Sequence, residues 1–314
     1  MKALLRGLCG AALTLLGAAA AVFAVFRFAP GDRARAVAEA RFGGEGTADA
    51  ALIEAVRAEL GLDAGPLAEF AVWLGDVLTL DLGRSLVSGD PVRDILLSDL
   101  AYTVPLALAA LGVGLALAVP LATLAALRPG GALDRIAIAV STLGAAMPAF
   151  WLGLLLILLF AATLRWFPAY GAGTFAHLVL PALTLGVWVT ASLTRLLRSL
   201  LREALAAPHL DALRLRGVGE GEILLRHVAP AALGPFCAML ALEFALLLDG
   251  AVIIEATFAR PGVGALLVNA VQARDTPVIQ AVVLFVAATY VLANAVADAG
   301  RRALDPRLRE AAHG

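Results

Sequence analysis

The sequence predicts an all-α membrane protein with six transmembrane helices. Of its 314 residues, 61% are hydrophobic and 16% are charged, and the mean hydropathy is +0.89. Soluble domains carry about 25% charged and roughly 45–50% apolar residues, so the core of a soluble domain could not bury this many apolar residues. A spanning helix needs about 20 mostly apolar residues. Six stretches reach that length: residues 8–28, 101–127, 136–164, 175–197, 231–254 and 278–296.

The first stretch is predicted to be a retained helix. Lys2 and Arg6 precede it, as in a signal peptide, but its apolar run is longer than the roughly 7–15 residues of a signal-peptide core. The third stretch contains Pro148, whose missing amide leaves the carbonyl of Gly144 without its helical partner. A kink is therefore predicted at Pro148.

Arginine placement predicts the orientation. Short arginine-rich connections stay in the cytoplasm, which places the N-terminus, the 128–135 loop, the 195–230 loop and the C-terminal tail on that side. The predicted organisation is residues 1–28 as N-terminus and first helix, 29–100 as an external segment, 101–300 as a five-helix core with a cytoplasmic loop at 198–230, and 301–314 as a cytoplasmic tail.

The external segment is predicted to be helical. Thr47 is a suitable N-cap for one helix, and Gly61 is placed to end it. Pro66 is placed to start a second helix that runs past Trp73. The apolar positions of the first helix are Leu52, Ile53, Val56 and Leu60.

Several function classes are excluded or disfavoured. Lys2 is the only lysine, so these residues hold no Walker A motif, which needs a lysine at the phosphates. The net charge of −1 gives no indication of nucleic-acid binding. Cys9 and Cys237 lie in apolar runs, as packing residues do. Metal-ligand spacing is not found among the histidines, which are His177, His209, His227 and His313.

The 195–230 loop is predicted to contain a short helix. Pro208 is typical of a helix start and Gly217 of a helix end. Leu210 and Leu213 are three positions apart and therefore share a face. From spacing alone, this face suits a cytoplasmic partner or the membrane interface equally.

The same loop resembles a known motif. Asp211-Ala212-Leu213, three residues, Gly217, nine residues and then 227–230 ending in Pro230 resemble the EAA loop of binding-protein-dependent ABC permeases. Leu213 replaces the second small residue of that motif, and His227 and Ala229 replace its apolar pair before the proline.

Much more of the chain is similar to the B-type permease of the dipeptide, oligopeptide and nickel importer family, from Pro30 nearly to Arg309. The order and spacing of short blocks carry this resemblance. They are ELGLD at 59–63, DLGRS at 81–85, Pro148 with FWLG at 150–153, WFPAYG at 166–171, LPALT at 180–184, EATFARPGVG at 255–264, Arg274-Asp275 with Pro277, and LDPR at 304–307.

The resemblance implies a type I ABC importer permease of the bacterial inner membrane, a non-catalytic subunit that binds no cofactor or metal. A second, C-type permease would complete the pathway, and two ABC ATPases would bind ATP and Mg. An extracytoplasmic solute-binding protein would deliver the ligand, and membrane lipid would surround the chain.

The 209–217 helix would be the coupling helix. Its leucines would fill an ATPase groove and its arginines would form the polar rim. The implied coupling residues are Leu210, Asp211, Ala212, Leu213, Arg214, Leu215, Arg216, Gly217 and Pro230.

Three acids in or beside the predicted fifth span are candidate pathway residues, because intramembrane acids are costly and usually functional. They are Glu243, Asp249 and Glu255. Glu255 lies in a family-like block near the outer end, which favours interfacial or structural pairing. Family members usually carry a small residue where this chain has Asp249, which either lines the pathway and favours cationic ligands or hydrogen-bonds a neighbouring helix.

The expected ligand is a dipeptide or oligopeptide. Nickel or a metal chelate is the alternative within the family, although the chain lacks clusters of His, Cys or Met. An ion-coupled carrier that uses Asp249, Glu243 and Glu255 is the alternative of another class. A membrane scaffold or receptor without transport is a third.

Overall fold

The computed structural model describes residues 2–28, 32–42, 49–59 and 65–304. Those ranges form a chain of helices joined by turns and by two longer loops, at 79–91 and 164–174. The helices are α1 (Lys2–Arg27), α2 (Arg33–Phe42), α3 (Ala50–Glu59), α4 (Pro66–Leu78), α5 (Val92–Leu127), α6 (Ala132–Ala146), α7 (Ala149–Leu156), α8 (Phe175–Leu205), α9 (His209–Leu215), α10 (Glu220–Ile223), α11 (Ala229–Thr257), α12 (Val263–Gln272) and α13 (Thr276–Leu304). Two π-helical turns, Ile157–Thr163 and Leu224–Val228, continue α7 and α10.

The predicted membrane fold is confirmed. Within the described residues, five helical runs are long and apolar enough to cross a membrane, and a bent pair gives a sixth if it counts as one span. The five runs are Cys9–Arg27, Val92–Leu127, Phe175–Leu205, Glu220–Thr257 and Thr276–Gly300.

The bent pair lies at the predicted Pro148 kink, but the bend is sharper than a kink. Ala132–Ala146 and Ala149–Thr163 meet at 101°. Met147 is extended, with φ −83° and ψ 127°, because proline disfavours the helical conformation of the residue before it. The third stretch is therefore two helices with a break between them.

Helix boundaries differ from the predicted ones where polar residues flank the apolar runs. The second span was predicted to start at residue 101, but helix α5 begins at Val92. The fifth span was predicted to start at residue 231, but the helical run that contains it begins at Glu220. Backbone hydrogen bonds, not hydrophobicity, determine where a helix ends. Composition therefore finds the lipid-crossing part of a helix and misses its polar extension.

The segment after α1 is helical, as predicted. Asp49 Oδ1 accepts a 2.8 Å hydrogen bond from the amide of Leu52, so Asp49 provides the N-cap contact of α3. Pro66 begins α4, which runs past Trp73 as predicted. A small core joins α2 to α3 and consists of Ala34, Ala38, Ile53 and Val56. Several sequence predictions fall outside the described residues: Thr47, Leu60, Gly61, His313 and the tail beyond Leu304.

The chain divides into two compact units. The first comprises Met1–Tyr102 with Gly262–Val291. In it Phe23 of α1 packs on Phe70 and Trp73 of α4, with ring centroids 5.3 and 5.6 Å apart. Its main apolar core consists of Val92, Leu96, Val263, Ala270, Val278, Ala281 and Val282.

The second unit comprises Thr103–Pro261 with Leu292–Gly314, and glycines allow its helices to approach closely. A Cβ on Gly186 of α8 would lie 2.6 Å from Val113 Cγ1 of α5. The reverse contact places Gly114 of α5 against Val189 of α8. Such interlocking small residues are a usual means of packing membrane helices, because lipid provides little hydrophobic driving force between them.

Candidate functional site

The loop between α8 and α11 contains the predicted short helix. Helix α9 follows Pro208 directly, and Gly217 has φ +81°, the left-handed conformation that glycine adopts without strain. The amide of Gly217 donates to the Arg214 carbonyl at 2.9 Å, and the amide of Val218 donates to the Leu213 carbonyl at 3.1 Å. These two bonds form a Schellman ending and use carbonyls that the helix leaves unpaired.

Burial differs among the three leucines that the resemblance implied would fill an ATPase groove. Leu210 is 1% exposed and packs inside this chain, Leu213 is half-buried, and Leu215 is 89% exposed. The prediction that Leu210 fills a partner's groove does not fit this burial. Burying a leucine contributes about 1.5–3 kcal/mol, so Leu210 anchors α9 to its own chain and Leu215 is the side chain offered outward.

Arg214 is bound within the loop. Its Nη1 donates to Asp211 Oδ1 at 2.9 Å, and its Nε donates to Glu220 Oε1 at 2.8 Å. Hydrogen bonds to Glu220 and Asp211 raise the pKa of this guanidinium. Arg214 thus ties α9 to α10 and keeps about a third of its side chain exposed. Arg216 is exposed and makes no ion pair with any residue that the structure describes.

A second ion pair joins the start of α6 to the end of α8. Arg198 Nε donates to Asp134 Oδ1 at 2.5 Å, and the Gly130 amide donates to Asp134 Oδ2 at 2.9 Å. The Asp134 and Arg198 side chains are 5% and 19% exposed. The pair brings the first turn of α6 to the last turns of α8, the helix that leads into α9.

Replacing Arg198 with glutamine is expected to destabilise this unit. Asp134 would keep its buried charge without the guanidinium, and an unsatisfied buried charged group costs about 1–3 kcal/mol or more. Thermal unfolding of the purified protein should show a lowered midpoint, and adding Asp134→Asn should recover part of the loss. Arg226→Gln is the control, because the Arg226–Glu222 pair is exposed and such pairs contribute about 0–1 kcal/mol. Equal midpoints for the two single variants would contradict a stabilising role for the Arg198 pair.

The three acids of α11 do not form one cluster. Glu243 and Glu255 are fully buried. Ser192 of α8 donates to Glu243, and Thr103 of α5 donates to Glu255 Oε1 at 2.6 Å. These contacts give Glu243 and Glu255 structural partners inside the chain, whereas Asp249 is exposed.

Sequence reasoning missed the partners of these acids and the Asp134–Arg198 pair. A third missed contact joins Ser85 to Asp275, where Ser85 Oγ donates to Asp275 Oδ2 at 2.5 Å and the Leu86 amide donates to Asp275 Oδ1 at 3.1 Å. Both residues lie in sequence blocks that carried the family resemblance, and this was the only sequence feature that could have drawn attention to them. None of the other pairs has a local signal, because the partners are far apart in sequence.

Comparison with known proteins identifies the type of membrane protein. A family model described as the binding-protein-dependent transport system inner membrane component matches residues 118–310. The glutathione transport system permease protein GsiC of Pectobacterium atrosepticum is 36% identical over 305 residues, which are 97% of this chain and 98% of that protein. The chain belongs to this permease family. GsiC of Escherichia coli K12 is 35% identical over the same shares of both chains.

Solved structures support the fold of this ABC permease. The MetNI methionine ABC transporter, solved in inward-facing conformations, aligns with TM-score 0.55 at 19% identity over 69% of this chain and 99% of that one. An amino acid ABC transporter crystallised with histidines aligns with TM-score 0.51 at 17% identity over 67% and 94%. The predicted type I importer fold is thus confirmed.

Family membership also settles the class of function. The chain is a multi-pass inner-membrane permease component of an ABC importer. Such components are non-catalytic and bind no cofactor themselves, and they work with a partner permease, ATPases and a binding protein. The alternatives of an ion-coupled carrier and a membrane scaffold are set aside.

Proposed function

We propose that this permease subunit moves dipeptides and oligopeptides into the cell. The observation that carries the proposal is the similarity to GsiC along nearly the whole chain, because the glutathione named for those relatives is itself a tripeptide. A pathway related to theirs would accept a flexible solute with peptide bonds and charged ends. The described residues contain no group of three or more His, Cys, Asp or Glu side chains placed to hold a metal ion, so no specific observation favours nickel.

The ATP-hydrolysing partners are two ABC subunits that hold ATP and Mg, and the pathway is completed by a C-type permease. This chain supplies no P-loop lysine, so the nucleotide must be held elsewhere in the complex. An extracytoplasmic solute-binding protein delivers the peptide. Both chain termini and the 198–230 loop lie in the cytoplasm in this proposal, the latter because of its arginines, and residues 29–100 lie outside.

The ATPase contact is the exposed side of α9 and its exit turn. Leu215 offers an apolar side chain and Arg216 a charge, with Asp211 and Ala212 exposed beside them and Leu213 at the edge. Leu210 and Arg214 hold the helix in place, and Gly217 sets the direction in which the chain leaves it. Pro230 is the second residue of α11 and directly follows the π turn Leu224–Val228 that connects α10 to this helix. Through α10 and its π turn, a push on α9 would reach α11 directly.

The experiment that tests the proposal begins with purification of the tagged chain from its native membrane and identification of the stoichiometric partners. Two ATPase chains and a second permease are expected. The complex is then reconstituted with ATP inside vesicles and the binding protein outside, and uptake of glutathione, dialanine, a pentapeptide and nickel ions is measured. ATP-dependent uptake of the peptides is expected. ATP-dependent uptake of nickel without any peptide uptake would overturn the peptide assignment while leaving the permease class intact.

A further inference from the structure

Asp249 is an exposed acid inside an apolar span. It lies on α11 eight positions before the helix ends at Thr257, which corresponds to about 12 Å along the axis at 1.5 Å per residue. Among the described residues it has no hydrogen bond or ion pair, and its side chain is exposed. The chain itself therefore gives this carboxylate no partner.

The other acids of α11 show how differently Asp249 is placed. Glu243 and Glu255 each lie six positions from Asp249, which is about 240° around a helix of 3.6 residues per turn. Both are buried and accept hydrogen bonds from this chain's own hydroxyl groups. Asp249 faces a different side, away from the packed interior formed by Leu247 and Leu248.

An exposed carboxylate at this depth does not belong against hydrocarbon. Acids within membrane spans face the interior of a bundle or a water-filled cavity, since lipid cannot solvate their charge. In a permease that shares a solute pathway with a second subunit, water in that pathway provides the required solvation.

The surface around Asp249 suits a cation attached to an aliphatic chain. Gly250 is exposed beside it, and a Cβ there would meet only Leu185 Cδ2, at 3.9 Å, so a ligand has room to approach the carboxylate. Ile253 lies one turn further along the same face and is 55% exposed. The combination of a carboxylate, a gap and an apolar side chain matches a lysine side chain in a peptide, with its ammonium group and methylene stem.

We propose that Asp249 lines the solute pathway and makes this subunit favour peptides with a cationic side chain over neutral peptides of the same size. The inference rests on the proposed peptide transport and adds a selectivity that resides in the permease itself. A carboxylate near an ammonium group stabilises it by direct charge attraction. Removing the charge should therefore weaken passage of the cationic peptide and leave the neutral one unaffected.

The test uses the complete complex in proteoliposomes with its binding protein and two labelled dipeptides, alanyl-lysine and alanyl-norleucine. The ratio of their kcat/KM values is measured for the wild type, Asp249→Asn and Asp249→Glu. Because the binding protein is the same throughout, its own preference cancels when the ratios are compared. Asp249→Asn is expected to lower the lysine-to-norleucine ratio by about threefold to tenfold, and Asp249→Glu should keep it within about twofold. Glu243→Gln replaces a buried carboxyl group on the same helix and should leave the ratio unchanged.

A second measurement checks water access without any transported solute. After replacement of Cys9 and Cys237 by alanine, Asp249→Cys should react with a membrane-impermeant cationic thiol reagent in the assembled complex, and Glu243→Cys should not. An unreactive cysteine at 249 would overturn the pathway position.

The remaining outcomes separate the two proposals. An unchanged ratio in a well-assembled Asp249→Asn complex overturns the selectivity role and leaves peptide transport standing. A wild-type complex that moves no peptide of any tested length but does move another solute overturns the proposed function, and the inference with it. If Asp249→Asn fails to assemble while Asp249→Glu assembles, the carboxylate pairs with the partner permease, which overturns the pathway role.

Discussion

Replacing Gly217 with valine is expected to reduce uptake at least about tenfold while the complex still inserts, assembles and hydrolyses ATP. Gly217 leaves α9 at φ +81°, where an L-residue pays roughly 1–2 kcal/mol and a β-branched residue is an outlier. A Cβ at this position meets nothing within 4 Å, so the cost comes from the backbone alone. The loop should relieve this cost by giving up the Schellman bonds, which would turn α9 away from the ATPase surface proposed to contact it. Uptake and ATP hydrolysis measured on the same proteoliposomes give the coupling ratio that checks this result.

Two variants control for the size of the new side chain. Gly219→Val makes the same replacement two residues later, where φ is −69° and nothing lies within 4 Å, so it should transport nearly normally. Gly217→Asn should keep most of the activity, because asparagine tolerates the left-handed conformation. Normal uptake by a well-expressed Gly217→Val complex would show that the exit angle of α9 does not matter for coupling.

Replacing Gly186 with valine is expected to abolish the folded complex. Its Cβ would lie 2.6 Å from Val113 Cγ1, 2.8 Å from Val113 Cβ and 3.2 Å from the Ala110 carbonyl, so α5 and α8 must separate. Overpacking typically costs about 1–3 kcal/mol. Here the loss should be larger because Gly114 and Val189 interlock across the same helix pair and would separate as well. The yield of monodisperse protein in detergent, and its thermal midpoint, measure the effect.

Gly112→Val provides the matched control on α5. Gly112 is exposed and a Cβ there has no neighbour within 4 Å, so this change should leave the yield close to that of the wild type. The double variant Gly186→Val with Val113→Gly removes the nearest overlap and should recover part of the yield. If Gly186→Val alone gave normal monodisperse protein, the close approach of α5 and α8 would not be needed for folding.

The membrane spans show how much of the fold can be predicted from local composition. Five of the six predicted stretches correspond to single helical runs, and the third corresponds to a bent pair of helices. The agreement arises because the bilayer solvates each helix according to its own residues. The helix that begins at Val92 starts before the predicted boundary at residue 101. Its first turns contain polar residues, which lower the hydropathy but do not interrupt the backbone hydrogen bonds. At Pro148, local chemistry predicted that the helix is disturbed there, but the 101° angle depends on what the two halves pack against.

The loop around α9 shows the same division at the scale of side chains. Pro208 and Gly217 mark the helix correctly because helix ends obey local backbone rules. The three leucines look alike in sequence, and only packing separates buried Leu210 from exposed Leu215. Arg214 likewise carries a charge that the sequence reveals, while its attachment to Asp211 and Glu220 depends on how α9 and α10 meet.

The sequence by itself determined the membrane class, the approximate spans, the short loop helix and the permease family, since each follows from composition, local periodicity or motif order. Tertiary structure alone decided the partners of the buried groups: Asp134 with Arg198, Glu243 with Ser192, and Glu255 with Thr103. It also decided that Asp249 stays exposed. The physical reason is that a buried carboxyl group is stabilised by contacts with residues that are distant in sequence. No local sequence pattern determines which faces of two helices will pack together.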